Sequence, residues 1–226
     1  MTVNLAAILP LPAAYAEATF AALAGEAPLT RVARTMLGAA VVAVAEPLAD
    51  AVREALAAQG LPAVDVVVAD SPGLRAQCLA AALQHLTDTP RHVLIHDIRR
   101  PLAAAPVRDR VIAALSAGDE VVMPALAVTD SVKAVDARGS VTATLDRSTL
   151  QVVQYPRGFT AEALSRLLAG RASDDCDELG EALRTGTPIT IVDGDADAFA
   201  VELPRDTAFI EAIIACRQSD PRPTDR

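Results

Sequence analysis

Aromatic side chains are scarce in this chain of 226 residues, since Trp is absent and Phe and Tyr together make up 3%. Apolar residues nevertheless reach 52%, so the chain can bury a substantial core. That core has to be built from Ala, Val, Leu and Ile, whose side chains suit close packing of helices on a sheet. Lysine is also nearly absent: of the 20 basic residues, Lys133 is the only lysine. A site that needs a lysine anywhere else in the chain is therefore excluded.

Other shortages exclude whole classes of protein. The net charge of −9 argues against a general nucleic-acid binder, which needs clustered Lys and Arg. The three cysteines, Cys78, Cys176 and Cys216, form no CxxC pair, so neither a disulfide framework nor a structural zinc site is expected. No apolar run reaches the ~18 residues of a membrane helix. We predict a cytoplasmic protein with reduced thiols that binds neither nucleic acid nor a membrane.

Short runs rich in Val and Ile alternate with longer stretches rich in Ala and Leu, as in a parallel sheet covered on both faces. The short runs predict strands at 3–9, 40–45, 64–69, 92–96 and 120–124. The longer stretches predict helices at 47–59, 74–86 and 106–117, bounded by Pro and Gly residues. The sequence therefore predicts an α/β fold with a doubly wound, mostly parallel sheet of the Rossmann-like type.

This alternation changes after residue 124. Two short β-like runs, 131–135 and 140–145, flank a turn at Gly139 and predict a hairpin that either lies on the sheet or projects from it. A projecting hairpin is marginally stable alone and would need a partner. Further helices are predicted at 160–169, 174–183 and 204–217, and closing strands at 189–192 and 199–201. We predict one domain over 1–218 with a β-arm at about 131–145, then a disordered tail at 219–226.

The strongest local motif is HDIRRP at 96–101, directly after the apolar residues 93–95. Asp97 would lie at the carboxyl end of a strand, where ligands bind in open α/β sheets. Its carboxylate is suited to hold Mg²⁺ against a nucleotide triphosphate, because hard cations prefer oxygen ligands. On this segment alone, a structural interpretation is equally open: Asp97 caps the next helix, and Arg99 and Arg100 are solvated.

Three further motifs follow in a fixed order. TDSVK occupies 129–133, DRS occupies 146–148 and QVVQYPRGF occupies 151–159. In this order and register, the four motifs resemble the 2-C-methyl-D-erythritol 4-phosphate cytidylyltransferase family, whose patterns are HDAARP, PVxDTxK, DRxxL and TPQxF. The resemblance extends more weakly to SDD at 173–175 and VDGD at 192–195, and so covers nearly the whole chain.

The resemblance implies a nucleotidyltransferase fold and a specific reaction. Family members transfer CMP from CTP to methylerythritol phosphate with Mg²⁺, release pyrophosphate, and form homodimers by exchanging a β-arm. By position, Asp97 matches the residue that contacts the metal and the nucleotide, and Arg75 matches a nucleotide-contacting arginine. Substrate contacts are implied for Arg100, Asp130, Ser131 and Arg147. The Mg²⁺, the CTP and the sugar phosphate are expected only if the protein is active.

The residues that grip phosphate in the family are missing here. Family enzymes follow the first strand with PAAGxGxRMGxxxPKQF, whose backbone N–H groups cradle the triphosphate and whose Arg and Lys neutralise its charge. In this chain, residues 10–20 read PLPAAYAEATF, with no Gly, no basic residue and the anionic Glu17. The family lysine falls at about Ala18, and a second, late lysine is replaced by Ala200. Other family positions are changed at 71–73, Cys78, Tyr155 and Arg157.

The loss of these phosphate-binding cations should lower the rate of the reaction that the resemblance implies. Removing one well-placed cation from a phosphoryl-transfer site costs on the order of 10³–10⁵ in rate, or ~4–7 kcal/mol. We therefore expect an impaired or inactive enzyme and assign no catalytic residue. Two alternatives stay open. One is a working cytidylyltransferase in which Arg31, Arg34 or Arg99 replaces the lost cations, and the other is a non-catalytic dimeric paralogue with a binding or regulatory role.

Overall fold

The computed structural model describes residues 4–86, 90–173 and 177–219, and alternating strands and helices make up most of these ranges. The strands are β1 Leu5–Leu11, β2 Ala39–Val44, β3 Asp65–Val68, β4 His92–Ile95, β5 Val121–Ala127, β6 Lys133–Val135, β7 Val141–Thr144, β8 Gln151–Val153, β9 Arg157–Thr160 and β10 Thr190–Asp193. The helices are α1 Ala16–Phe20, α2 Pro28–Thr35, α3 Ala49–Ala58, α4 Arg75–His85, α5 Ala105–Ala117, α6 Ala161–Ala169, α7 Glu178–Thr185 and α8 Thr207–Ser219. Short 3₁₀ turns lie at Ala13–Tyr15, Glu46–Leu48 and Arg147–Thr149.

Eight strands form the main sheet, in the order β10-β5-β9-β4-β1-β2-β3, with β8 paired to the end of β5. β1 is parallel to both β2 and β4, β2 is parallel to β3, and β10 is parallel to β5. β9 is antiparallel and lies between β4 and β5. The predicted α/β fold with a mostly parallel sheet is confirmed, and β8 and β9 add antiparallel pairings to it.

Both faces of the sheet are covered, so most positions of its central strands are apolar, with His92 in β4 and Arg157 in β9 as buried exceptions. β1 and β4 are buried along their whole length. One face packs on α4 and α6 through residues such as Leu79 and Leu164, and the other packs on α2 and α3 through Val32 and Val52. The core is built from Ala, Val, Leu and Ile, as the composition predicts.

Glycine is required where β9 passes α5. A Cβ added at Gly158 would lie 2.5 Å from Cγ1 of Val111 and 2.9 Å from Cδ1 of Leu115. Real Cβ atoms do not approach other heavy atoms so closely, so any side chain here would push α5 off the sheet. Gly158 thus permits the close packing that holds the antiparallel strand in place.

The predicted hairpin is present as β6 and β7, which form a two-stranded sheet of their own. Gly139 occupies the turn with a φ of +82°, a conformation that favours glycine. The hairpin is exposed on both strands, and Val135 and Val141 are 59% and 65% exposed. Of the two arrangements that the sequence left open, the structure has the one in which the hairpin stands away from the main sheet.

Several predicted elements differ from the structure. Residues 199–201 form no strand. Phe199 and Val201 pack mainly against α8, and the Val201 N–H donates to the Arg99 carbonyl in the loop after β4 at 2.9 Å. The strands β8 and β9 and the helices α1 and α2 were not predicted. Val3 of the first predicted strand, residues 174–176 of the helix predicted at 174–183, and residues 220–226 of the predicted tail lie outside the described residues. Within the described ranges, no helix is both long enough and apolar enough to cross a membrane.

Candidate functional site

Two loops meet at the carboxyl end of the sheet. β1 and β4 are adjacent and parallel, with Ile8 opposite Ile95, so the segments that follow them begin side by side. His96 extends this pairing, because its backbone N–H donates to the Ile8 carbonyl at 2.8 Å. Asp97 is the next residue, and it therefore lies beside the segment that follows β1, at the edge where open α/β sheets bind ligands.

Asp97 is 2% exposed, and Arg99 holds both of its carboxylate oxygens. The guanidinium donates from Nε to Oδ1 at 3.1 Å and from Nη2 to Oδ2 at 2.7 Å, and the Arg99 backbone N–H also donates to Oδ1 at 2.9 Å. Burial acts to raise the pKa of Asp97, but the hydrogen bonds and charge of Arg99, with the charge of Arg75, hold that pKa below its ordinary value. Asp97 does not cap the following helix, since the N-cap of α5 is Ala104.

A magnesium ion on Asp97 does not fit this arrangement. Mg²⁺ needs carboxylate oxygens that are free to replace its waters. Both oxygens of Asp97 are engaged by Arg99, and across the part of the chain that the structure describes no three His, Cys, Asp or Glu side chains group into a metal site. Asp97 as a metal ligand stays a prediction, and it requires Arg99 to leave the carboxylate first.

The segment after β1 is helical where the family has an open glycine-rich loop. The 3₁₀ turn Ala13–Tyr15 runs into α1, and the Thr19 hydroxyl donates to the Tyr15 carbonyl at 2.7 Å. The Arg99 guanidinium lies over the Tyr15 ring, with its carbon 5.2 Å from the ring centroid. Tyr15 thus packs on the same guanidinium that holds Asp97.

A buried ionic cluster surrounds the ring of Tyr155. Arg75 donates to Glu178 from Nε at 3.1 Å and from Nη2 at 2.8 Å, and its Nη2 lies 3.2 Å from the Tyr155 hydroxyl. Arg157 donates to Glu178 at 3.2 Å and to Asp177 at 3.0 Å, and its guanidinium carbon lies 4.3 Å from the centroid of the Tyr155 ring. Burial acts to raise the pKa of Glu178, but Arg75 and then Arg157 lower it to about 2. The Arg75 guanidinium is therefore engaged in a buried ion pair with Glu178.

Arg100 ties the loop after β4 to two distant segments. Its Nη2 donates to the Val153 carbonyl at 3.0 Å, and its Nη1 donates to the Ala198 carbonyl. Its guanidinium carbon also lies 5.6 Å from the centroid of the Tyr155 ring. Arg100 is therefore not solvated, and it stabilises the backbone around the site.

Of the predicted site residues, Arg75, Asp97 and Arg100 lie close together, whereas the other three lie at the base of the arm. Asp130 and Ser131 are exposed just before β6, and Arg147 is exposed and donates to a backbone carbonyl at Thr129. In the described part of the chain, no hydrogen bond or ion pair joins these three to the Asp97 loop or to the Tyr155 cluster. The substrate-binding roles of all six residues stay predictions.

Sequence reasoning missed most of the ionic cluster. Tyr155 and Arg157 are visible in the sequence as departures from the family pattern, but nothing there indicates that Tyr155 contacts Arg75 or that Arg157 shares Glu178 with it. Glu178 gives no local signal, because 103 residues separate it from its partner Arg75. Tyr15 lies in the altered segment after β1, where its contact with Arg99 depends on the pairing of β1 with β4.

The strand order, with β9 reversed between β4 and β5, and the polar edge after β1 and β4 define the class of protein. It is a doubly wound α/β protein with a mostly parallel sheet and a candidate ligand-binding edge.

Comparisons with known proteins identify the family. The family model for 2-C-methyl-D-erythritol 4-phosphate cytidylyltransferase matches residues 14–216. A protein of that name from Rhodococcus jostii (strain RHA1) is 36% identical over 200 residues, which are 86% of this chain and 85% of that protein. Another, from Rhodococcus opacus (strain B4), is 37% identical over 129 residues, so this match spans only 57% of either chain. A crystal structure of a 4-diphosphocytidyl-2C-methyl-D-erythritol synthase has a TM-score of 0.77 at 22% identity, over 95% of this chain and 100% of that chain. The chain belongs to the 2-C-methyl-D-erythritol 4-phosphate cytidylyltransferase family, as its motifs predict.

Proposed function

We propose that this protein is a family member in which CMP transfer is impaired or lost, and which keeps a binding role at the carboxyl end of its sheet. The observation that carries the proposal is the Arg99–Asp97 pair packed against Tyr15. The carboxylate that would help to hold a metal is occupied, and the guanidinium that would attract phosphate is already neutralised.

Electrostatics support this proposal. A nucleotide triphosphate brings several negative charges, and its reaction needs cations on the transferring group. Residues 10–20 supply none, and Glu17 adds a negative charge. Arg75 and Arg157 share the buried carboxylate of Glu178, so their charge is also partly neutralised. With each missing cation costing on the order of 10³–10⁵ in rate, turnover should lie far below that of a competent enzyme.

A working cytidylyltransferase is the second candidate, and the position of Arg99 favours it. The Arg99 side chain is 42% exposed, so it can rotate from Asp97 towards a bound phosphate without unfolding the core. Its release would also free Asp97. Arg31 and Arg34 do not take this part, because both pair with Glu26 and their other described hydrogen bonds go to Leu23 and Gln59.

Release of pyrophosphate by the full chain, supplied with CTP, methylerythritol phosphate and Mg²⁺, separates the two candidates. We expect a rate no higher than that of the Asp97→Asn variant, which serves as the background control. A turnover near 1 s⁻¹, about tenfold below the median enzyme, would reject the proposal that CMP transfer is impaired.

Calorimetric titration with CTP alone then tests the binding role. Millimolar or tighter binding that Arg75→Gln abolishes supports that role, and no binding contradicts it.

We also propose a homodimer formed by exchange of the arm. The hairpin of β6 and β7 is isolated from the main sheet and exposes Val135 and Val141, although two-stranded hairpins are marginally stable alone. Replacing residues 131–145 by a short Gly-Ser linker should yield monomers in sedimentation, with an unchanged circular dichroism spectrum as the control for folding. A dimer that survives the deletion would exclude the arm as its basis.

The cytoplasmic location is part of the same proposal. Cys78 and Cys216 are free thiols, as expected in a reducing compartment. Fractionation of the host cell should recover the chain with the cytoplasmic proteins, and recovery outside them would contradict this location.

A further inference from the structure

Three arginines line one small, open cavity beside the later part of the loop that follows β4. The cavity has a volume of about 240 Å³ and lies between α2, α8 and the turn that leads into α5. Arg31 and Arg34 come from α2, Arg217 comes from α8, and residues 101–104 form the opposite wall. The charges come from distant parts of the sequence, so the tertiary fold brings them together.

Positive charge exceeds negative charge in this lining. Glu26 is its one acidic side chain, and it pairs with Nε of Arg31 at 3.5 Å and with Nε of Arg34 at 3.1 Å. Arg217 pairs at 2.6 Å with Asp197, which is not part of the lining. With Asp197 included, three positive charges face two negative ones among the described residues, so the lining keeps a positive excess in a protein whose net charge is −9. Such a concentration of like charge attracts anions.

Arg31 also has a donor without an acceptor. Its side chain is 19% exposed, and its Nη2 donates to the Leu23 carbonyl at 3.1 Å. Its Nε is buried and has no hydrogen-bond partner among the residues described, because Glu26 lies within ion-pair distance but outside hydrogen-bond geometry. A buried donor of this kind is costly unless a ligand or water satisfies it.

We propose that this arginine cavity binds a phosphate group, either as inorganic phosphate or as a small phosphomonoester. The planar guanidinium group donates pairs of parallel hydrogen bonds that match the oxygens of phosphate. Arg31 and Arg34 from α2 and Arg217 from α8 line the same cavity, so their guanidinium groups can donate to one phosphate from different sides. The volume is several times the ~30 Å³ share of one water molecule, which leaves room for phosphate and a short organic group. None of the three arginines contacts Asp97 or Tyr155 in the described structure, so the arginines take no part in the proposed function, although residues 101–104 of the wall directly follow Arg100.

Calorimetric titration of the full chain with inorganic phosphate, repeated with glycerol 3-phosphate at the same ionic strength, tests the proposal. We expect saturable binding with a dissociation constant of about 1 mM or below for at least one of the two. Arg34→Gln and Arg217→Gln should each weaken it at least tenfold. These side chains are 53% and 40% exposed, so their replacement should leave the fold intact. Arg53→Gln is the matched control, since Arg53 is a 49% exposed helical arginine outside this cavity, and it should change binding less than twofold.

Tighter binding of glycerol 3-phosphate would identify the ligand as a phosphomonoester, and tighter binding of inorganic phosphate would identify free phosphate. Either result supports the site. The proposal is overturned by the absence of saturable binding of both ligands up to about 50 mM, well beyond the expected constant. It is equally overturned by binding that CTP displaces and that Arg34→Gln and Arg217→Gln leave unchanged, since the phosphate would then occupy the nucleotide edge of the sheet.

Discussion

Replacing Glu178 by Gln tests the buried cluster around Tyr155. The change keeps the shape of the side chain but leaves the guanidinium groups of Arg75 and Arg157 without their shared buried carboxylate. The pKa of Glu178 is about 2, against an ordinary value of 4.5, so its ionised form stabilises the folded state. A difference of this size corresponds to about 3 kcal/mol of unfolding free energy. Removing one partner of a buried pair costs a similar amount, about 3–5 kcal/mol.

The stability difference between wild type and Glu178→Gln should become smaller as the pH falls. Because the folded pKa lies below the unfolded one, the contribution of Glu178 is complete above about pH 5 and is lost as the pH falls towards 2. Wild type should exceed Glu178→Gln by about 3 kcal/mol at pH 7 but by only about 1 kcal/mol at pH 3. At neutral pH the melting temperature of the variant should be lower by about 6–12 °C.

Urea denaturation followed by circular dichroism at both pH values measures these differences. Glu202→Gln is the control, because Glu202 pairs with Arg205 at 2.6 Å while 70% exposed, and a surface pair should change stability by less than about 1 kcal/mol. If Glu178→Gln unfolds with the wild-type free energy at pH 7, or if its deficit is the same at pH 3, the cluster does not stabilise the fold as described.

Three further predictions rest on other contacts. Gly158→Ala should destabilise the protein by about 1–3 kcal/mol in urea, because its Cβ would overlap α5, and unchanged stability would contradict that packing. Arg99→Gln should raise the pKa of Asp97, followed by carbon NMR of the carboxyl group, and a constant pKa would show that Arg99 does not hold that carboxylate. Burial raises the pKa of Cys78 to about 11, so at pH 8 a thiol reagent should label exposed Cys216 at least about tenfold faster, and equal rates would refute the burial of Cys78.

The parallel half of the fold can be predicted from the sequence because its strands are buried on both faces. β1, β2 and β4 read as unbroken apolar runs, and the helices between them end at Gly or begin near Pro. β9 escapes prediction because it contains Arg157 and Gly158, residue types that are uncommon in a central strand. Both are explained only by distant partners: Glu178 neutralises the arginine, and α5 leaves no room for a side chain at the glycine.

The candidate site shows the same limit. Asp97 can be placed from sequence because an acidic residue follows a buried strand. The partner that occupies it, Arg99, is only two residues away, yet its rotamer depends on Tyr15, which belongs to another loop. The strand predicted at 199–201 is wrong because burial against α8 gives the same apolar pattern as burial in a sheet.

The reversed strand β9 has a consequence for how the chain is made. β4 and β5 are separated in the finished sheet by β9, which is synthesised after both and after the whole arm. A growing chain that has not yet reached Thr160 therefore contains β4 and β5, two strands that are buried in the finished protein. It still lacks β9, which pairs with both of them. Open apolar edges of this kind pair readily with other chains. For this protein, the edges of β4 and β5 therefore stay open to such pairing until β9 is in place.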